Sequence, residues 1–195
     1  MKTPIPDHIT QLATAVEAAG GRAYFVGGAV RDQLLNRECK DFDLEVYGIE
    51  VDDLESLLAK FGKVHLIGKQ FAVLLLVLDK GGEVEVALPR RESKTGPGHK
   101  GFTVKSDPSM QKEEAVLRRE FTVNALMQDV LTGEIFDFHD GVGDLKRKVL
   151  RHVSPAFIED PLRVLRAARF VASFDFSIAD ETVELCKSID ISELP

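Results

Sequence analysis

The sequence predicts an α+β (mixed α/β) fold in which a mixed sheet with flanking helices is followed by a helical segment. Three observations predict it. Short apolar stretches of strand length recur between Arg22 and Leu88, some alternating apolar with charged residues. Stretches with apolar residues at helical spacing interrupt them, which places helices and strands in one domain. From Pro161 onward the strand signal disappears and the chain reads as helix.

Ile9, Leu12, Ala13, Val16 and Ala19 recur at helical spacing until Gly20-Gly21 stops the helix. Arg22 to Val26 reads as a strand ending in Gly27-Gly28, and Ala29 to Leu35 as a helix. Asp41 to Tyr47 alternates, with Phe42, Leu44 and Val46 on one face and Asp41, Asp43 and Glu45 on the other. That pattern predicts a half-buried strand with its acids on the open side. Leu54, Leu57, Leu58 and Phe61 mark another amphipathic helix, followed by strands at Lys63 to Ile67, Phe71 to Leu78 and Glu83 to Leu88. Arg90 to Met110, rich in Gly, Pro, Lys and Ser, lacks periodicity and reads as a long mobile loop. A short helix past Arg119, a hairpin around Thr132-Gly133 and a helix over Asp144 to Val149 come next. Asp160 then suits an N-cap and Pro161 the first helical position, with Leu162, Leu165 and Ala168 as the packing stripe.

At 195 residues, 44% apolar and 29% charged, the chain can bury a sizeable core and is neither fibrous nor wholly disordered. A formal charge of −7 argues against indiscriminate nucleic-acid binding through an all-basic surface. Charge is uneven, however. Acid predominates from Arg37 to Lys60 and from Asp175 to Pro195, base from Arg90 to Arg119 and from Asp144 to Arg169. Such runs are ordinarily solvated surface; brought together, the basic ones would form a groove for a polyanion. Cys39 and Cys186 belong to no metal-binding or disulfide pattern. With no signal peptide and no apolar run long enough to span a bilayer, the expectation is a cytoplasmic protein without membrane contact.

Four patterns carry chemistry. Gly27-Gly28-Ala29-Val30-Arg31-Asp32 sits between a strand and a helix, where glycines let a phosphate approach the backbone and Arg31 adds charge; a plain turn is the alternative. In Asp41-Phe42-Asp43, two carboxylates project from one strand face and suit a shared hard cation such as Mg²⁺, or else a solvent-facing edge. Glu83 and Glu85 alternate on a later strand, and Glu85 is the choice for a third catalytic carboxylate. In Arg118-Arg119-Glu120-Phe121-Thr122-Val123-Asn124, adjacent arginines beside Thr and Asn suit a triphosphate and a ribose hydroxyl, or surface pairing with Glu113 and Glu114. Glu159-Asp160-Pro161-Leu162-Arg163-Val164-Leu165-Arg166 reads as a capped helix with a basic stripe.

Together with Asp140-Gly141-Val142-Gly143-Asp144-Leu145, these segments resemble the ordered motifs of class II tRNA nucleotidyltransferases and their relatives, the bacterial poly(A) polymerases. The resemblance runs from about Tyr24 to about Thr182. It implies a polymerase-β-like nucleotidyltransferase head in which Asp41 and Asp43 hold two Mg²⁺ ions. It further implies nucleotide contacts from Gly27, Gly28, Arg31, Arg119, Asn124 and Arg166. Asp160 and Arg163 would read the base, because cytosine and adenine both set an amine donor beside a ring-nitrogen acceptor. Family members usually carry Asp where this chain has Glu120, and Glu92 to Gly98 resembles the family's flexible loop.

The implied reaction is template-independent addition of C, A or both, from CTP and ATP, to the 3′ end of tRNA with release of pyrophosphate. Poly(A) addition to RNA is the alternative, since the motifs are shared. Gly68-Lys69-Gln70-Phe71 leans partly toward the poly(A) branch; Arg90 to Gly96 and His152 to Phe157 lean toward the tRNA branch. The expected division is a catalytic head over residues 1–152 and a partial, base-recognising neck over 153–195. Because the family continues into an RNA-gripping body, a catalytically incomplete nucleotide- or RNA-binding head, completed by a body domain or partner chain, is the third reading.

Overall fold

The computed structural model describes residues 4–39, 41–67, 73–79, 81–94 and 102–192. The 68–71 motif and residues 95–98 of the expected loop lie outside them.

Twelve residues of α1 (Asp7–Ala18) lead into β1 (Arg22–Val26), α2 (Gly28–Leu34), β2 (Leu44–Tyr47) and α3 (Val51–Leu58). Strands β3 (Gly62–Ile67), β4 (Val73–Leu78) and β5 (Glu83–Ala87) follow, then the hairpin of β6 (Arg90–Lys94) and β7 (Phe102–Ser106). Next come α4 (Lys112–Val116), a 3-10 turn at Thr122–Asn124, and β8 (Met127–Asp129) with β9 (Ile135–Phe136). The chain closes through α5 (Gly141–Arg147), β10 (Val149–Leu150), a second 3-10 turn at Pro155–Glu159, α6 (Leu162–Phe174), β11 (Ser177–Ile178) and α7 (Asp180–Ser188).

Seven strands form the main sheet in the order β3-β4-β5-β2-β1-β8-β9. Only the β2–β5 pair within it is parallel, so the sheet is mixed, as the sequence predicts. Both faces of its centre are covered. Ala23 and Phe25 of β1 with Leu44 and Val46 of β2 pack into the core formed with α1 and α3. Tyr24, Val26 and Tyr47 point the other way and pack with Met110, Ala115, Val116 and Met127. Each fully buried large apolar side chain contributes about 1.5–3 kcal/mol. This second layer corrects the expected open face of β2: Glu45 is 1% exposed, because α4 and its flanks cover the strand.

Four further expectations change. The segment read as a structureless loop from Arg90 to Met110 contains the β6–β7 hairpin, paired from Arg90↔Ser106 to Lys94↔Phe102. The helix expected at Asp144 to Val149 begins at Gly141, and Val149 belongs to β10. The end of the chain is not wholly helical, since β11 pairs in parallel with β10. On α6 the expected stripe is turned outward. Leu165 is 50% exposed, while Ala167 and Phe170 face the core. Phe157, Ala167, Phe170 and Phe176 join the same hydrophobic core as the main sheet, so residues on both sides of 152 share it.

Candidate active site

Gly27 and Gly28 turn the chain from the central strand β1 into α2. Gly27 has φ +63°, a region that favours glycine, and a Cβ there would lie 2.9 Å from Arg119 Nη1. Its carbonyl accepts the Arg31 backbone N–H at 3.2 Å, which starts the helix and brings Arg31 back under the turn. Arg31 is only 8% exposed, and each of its three nitrogens donates a hydrogen bond. Its Nε and Nη2 donate to the Asp32 carboxylate at 2.8 and 3.0 Å, and its Nη1 to Asn124 Oδ1 at 2.7 Å. The Phe174 ring lies 4.5 Å from its guanidinium carbon.

Asp41 and Asp43 precede β2 and face the same cavity as the glycine turn, a cleft of about 710 Å³. Burial, then the charge of Glu85, push the Asp43 carboxyl up to about 6; Arg119 opposes the shift and Asp41 adds to it. Parallel pairing of Leu44 with Val86 sets Glu85 beside Asp43. Glu85 is nonetheless exposed and does not line the cleft. Among the described residues no three Asp, Glu, His or Cys side chains are grouped to hold a metal ion, so the expected trio is not assembled. Two crowded carboxylates, one of them desolvated, are the donor set a hard divalent cation takes when phosphates supply its other ligands. Asp41 and Asp43 fit that role.

The opposite wall comes from the turn after α4. Arg119 reaches the cleft with Glu120 and Asn124. Glu120 Oε1 accepts Asn124 Nδ2 at 3.0 Å and Arg166 Nε at 3.2 Å. Burial would push the Glu120 carboxyl up; the Arg166 guanidinium and the Asn124 amide overcome that and hold it below the usual range. Beneath them, Glu45 accepts Arg118 Nη2 at 2.8 Å, Arg119 Nη2 at 3.5 Å and the Tyr47 hydroxyl at 2.7 Å. Its carboxyl is likewise held low against burial, by Arg118 first and then Arg119.

Helix α6 contributes Arg166, Arg169, Phe170 and Phe174 to the cleft. Asp160 and Arg163 are not brought into it. The Asp160 carboxylate accepts the Leu162 backbone N–H at 3.0 Å, which makes it the cap the sequence predicts. Arg163 donates to the carbonyls of Ala156 and Arg118 at 2.9 and 2.8 Å. With Glu159 and Arg118 it lines a second cavity, of about 480 Å³, on the far side of the arginine pair. The Asp140 to Leu145 motif is architectural. Asp144, 0% exposed, accepts Thr122 Oγ1 and Arg147 Nη2, both at 2.8 Å, and Arg151 Nε at 3.2 Å. A Cβ on Gly141 would lie 2.3 Å from the Thr122 carbonyl, so only glycine lets α5 dock on the turn that carries Asn124.

Gly27, Gly28, Arg31, Asp41, Asp43, Arg119, Asn124 and Arg166 therefore meet in one cleft, whereas Glu85, Asp160 and Arg163 lie outside it. Sequence reasoning missed Glu45, Cys39 and Arg169. Glu45 left a signal, being on the same strand face as Asp43 in a chain that also carries an arginine pair.

These elements define a nucleotidyltransferase-type head: a mixed sheet presenting two acids opposite a glycine turn and an arginine wall. The profile of the poly A polymerase head domain matches residues 23–151, and the chain belongs to that family. It is 48% identical over 177 residues to the multifunctional CCA protein of Xanthomonas campestris pv. campestris, covering 89% of this chain and 41% of the relative. The multifunctional CCA protein of Pasteurella multocida is also 48% identical, over 88% of this chain and 39% of its own length. A CCA-adding enzyme in an apo form superposes with a TM-score of 0.80 at 29% identity, over 94% of this chain and 44% of that one. The Bacillus stearothermophilus CCA-adding enzyme in complex with CTP gives 0.74 at 30% identity, over 92% and 42%. The chain thus spans about two-fifths of the length of the curated relatives it matches. Nucleotidyltransferases of this family generally use divalent metal ions. Among the described residues no helix is long and apolar enough to cross a membrane.

Proposed function

We propose that this chain carries the catalytic head of a template-independent nucleotidyltransferase that adds C, A or both, from CTP and ATP, to the 3′ end of tRNA. The single observation that carries this reading is the convergence of Gly27, Asp41, Asp43 and Arg119 on one cleft. Similarity to CCA-adding enzymes, one of them solved in complex with tRNA, supports tRNA over other RNA as the acceptor.

Asp41 and Asp43 would hold Mg²⁺, the divalent ion suited to few carboxylates plus phosphates. Bound there, the ions supply activation of the RNA 3′-hydroxyl and neutralisation of the departing pyrophosphate. The chain's own residues do the rest. The glycine turn gives the triphosphate close access to backbone, and Arg119 and Arg166 add charge-assisted bonds to its oxygens. Arg31, held by Asp32, supports the turn from below and fixes Asn124, whose amide orients Glu120 toward the sugar. Asp160 and Arg163 read the amine and ring nitrogen of cytosine or adenine, exchanging their present contacts to backbone groups for the base edge. Glu85 tunes the charge at Asp43 from outside the cleft. Residues 1–152 act as the head and 153–195 as the first part of the neck, and two cysteines that belong to no disulfide pattern suit work in the cytoplasm.

The test offers tRNA lacking its 3′ terminus, Mg²⁺ and each NTP singly. Extension with CTP or ATP, but not UTP or GTP, is the expected result. Long A tracts on arbitrary RNA would instead favour poly(A) addition, and NTP binding without extension a head that needs its body domain.

A further inference from the structure

We propose that Glu45 is a positioning residue for Arg119: a buried carboxylate on the acid-bearing strand that clamps the guanidinium aimed at the glycine turn. One residue, Leu44, separates it from Asp43, so both project from the same side of the chain. Their surroundings differ. Asp41 is exposed and Asp43 partly so, whereas Glu45 is 1% exposed. A carboxylate so buried is tolerated only with full pairing. Glu45 has it: Oε1 takes the Tyr47 hydroxyl at 2.7 Å, and Oε2 takes Arg118 Nη2 at 2.8 Å and Arg119 Nη2 at 3.5 Å.

One oxygen therefore serves both arginines, with the shorter bond to Arg118, whose backbone is separately tied to α6. Its carbonyl accepts Arg163 Nη2 of α6 at 2.8 Å. The variable member is Arg119. Its Nη2 end is held by Glu45, and its Nη1 end occupies the space beside Gly27. With the Glu45 charge removed, the carboxylates left acting on Arg119 are Asp43 and Glu120. Arg119 is then drawn toward Asp43 and Glu120 instead of the place where a triphosphate would lie. Glu45 thus keeps the arginine off the acids and on the phosphate side.

The nucleotide-binding half of this claim rests on the function proposed above, so the test reads Arg119 directly as well. Side-chain Nε–H signals are recorded by proton–nitrogen NMR, with Arg119 assigned by its loss in Arg119→Lys. CTP dissociation constants are measured by calorimetry without turnover. In Glu45→Gln the Arg119 signal moves or broadens and CTP binding weakens about tenfold. Combined with Arg119→Lys, the same change adds no further loss, as residues acting through one contact require. Should Glu45→Gln fail to fold, Glu45→Asp keeps the charge but withdraws it by one methylene, and the Arg119 signal must still move. An unmoved Arg119 signal, or additive losses in the double variant, overturns the proposal. A wild-type chain that binds neither CTP nor ATP overturns the functional reading instead, and the Arg119 signal still decides the positioning claim.

Discussion

At the glycine-turn end of the cleft, Arg31, Asn124, Glu120 and Arg166 are joined side chain to side chain in an unbroken series that ties α2 to α6. Outside the cleft, near the start of α6, Asp160 and Arg163 hold backbone groups, a Leu162 N–H and two carbonyls, and the Arg163 guanidinium lies 6.0 Å from the Phe157 ring. The first arrangement is preorganised: moving one member strands a partially buried charge, which costs several kcal/mol. The second is exchangeable, since a hydrogen bond traded for another of equal quality changes the free energy by about 1 kcal/mol or less. A rigid seat for the part common to every NTP and an adaptable seat for the part that varies is the arrangement an enzyme accepting two bases requires.

Substitutions break this contrast to different degrees. Asp41→Ala should cost about a thousandfold in extension rate with the melting temperature retained, because Asp41 is exposed and its role is in the chemistry. Primer-extension kinetics beside a thermal melt check both halves. Asp144→Ala should do the reverse, losing about 1–3 kcal/mol of stability in chemical denaturation because the buried Thr122 hydroxyl loses its acceptor and the turn is freed. Arg166→Ala should raise the KM for both CTP and ATP about tenfold, the worth of one charged hydrogen-bonding partner. Asp160→Asn keeps a capping side chain, so stability should hold while discrimination against UTP falls by about tenfold, read from single-nucleotide extension rates. The smallest effect concerns pH. Because Glu120 titrates below its ordinary value in the folded chain, its contribution is complete above the normal carboxylate range and is lost as pH falls through it. Glu120→Gln should therefore show a shallower acid loss of stability than the wild type.

Much of the fold was readable because α1 and α3 carry their own helical spacing and Gly27-Gly28 marks the boundary between β1 and α2. What escaped depended on partners distant in sequence. Nothing local to Glu45 shows that Met110 and α4 will cover it, so alternation placed it in solvent. On α6, apolar residues occur on every side of the helix; Leu165 and Ala168 fit a stripe as well as Ala167 and Phe170 do, and only docking on Phe121 and Phe157 selects the second. β6, Arg90 to Lys94, has no apolar residue and so no alternation to read, although β7 alternates Phe102 and Val104 with Thr103 and Lys105. In the candidate site, Gly27, Gly28, Arg31, Asp41, Asp43, Arg119 and Asn124 line one cleft, whereas Glu85 stays outside it. Arg163 is kept out as well, its guanidinium donating to the backbone carbonyls of Ala156 and Arg118.

Single-nucleotide extension of tRNA lacking its 3′ terminus tests the central claim most directly. Incorporation of CTP or ATP, dependent on a divalent ion and lost in Asp41→Ala, with UTP and GTP refused, is the predicted result. Equal use of all four NTPs, or undiminished extension by Asp41→Ala, would contradict it.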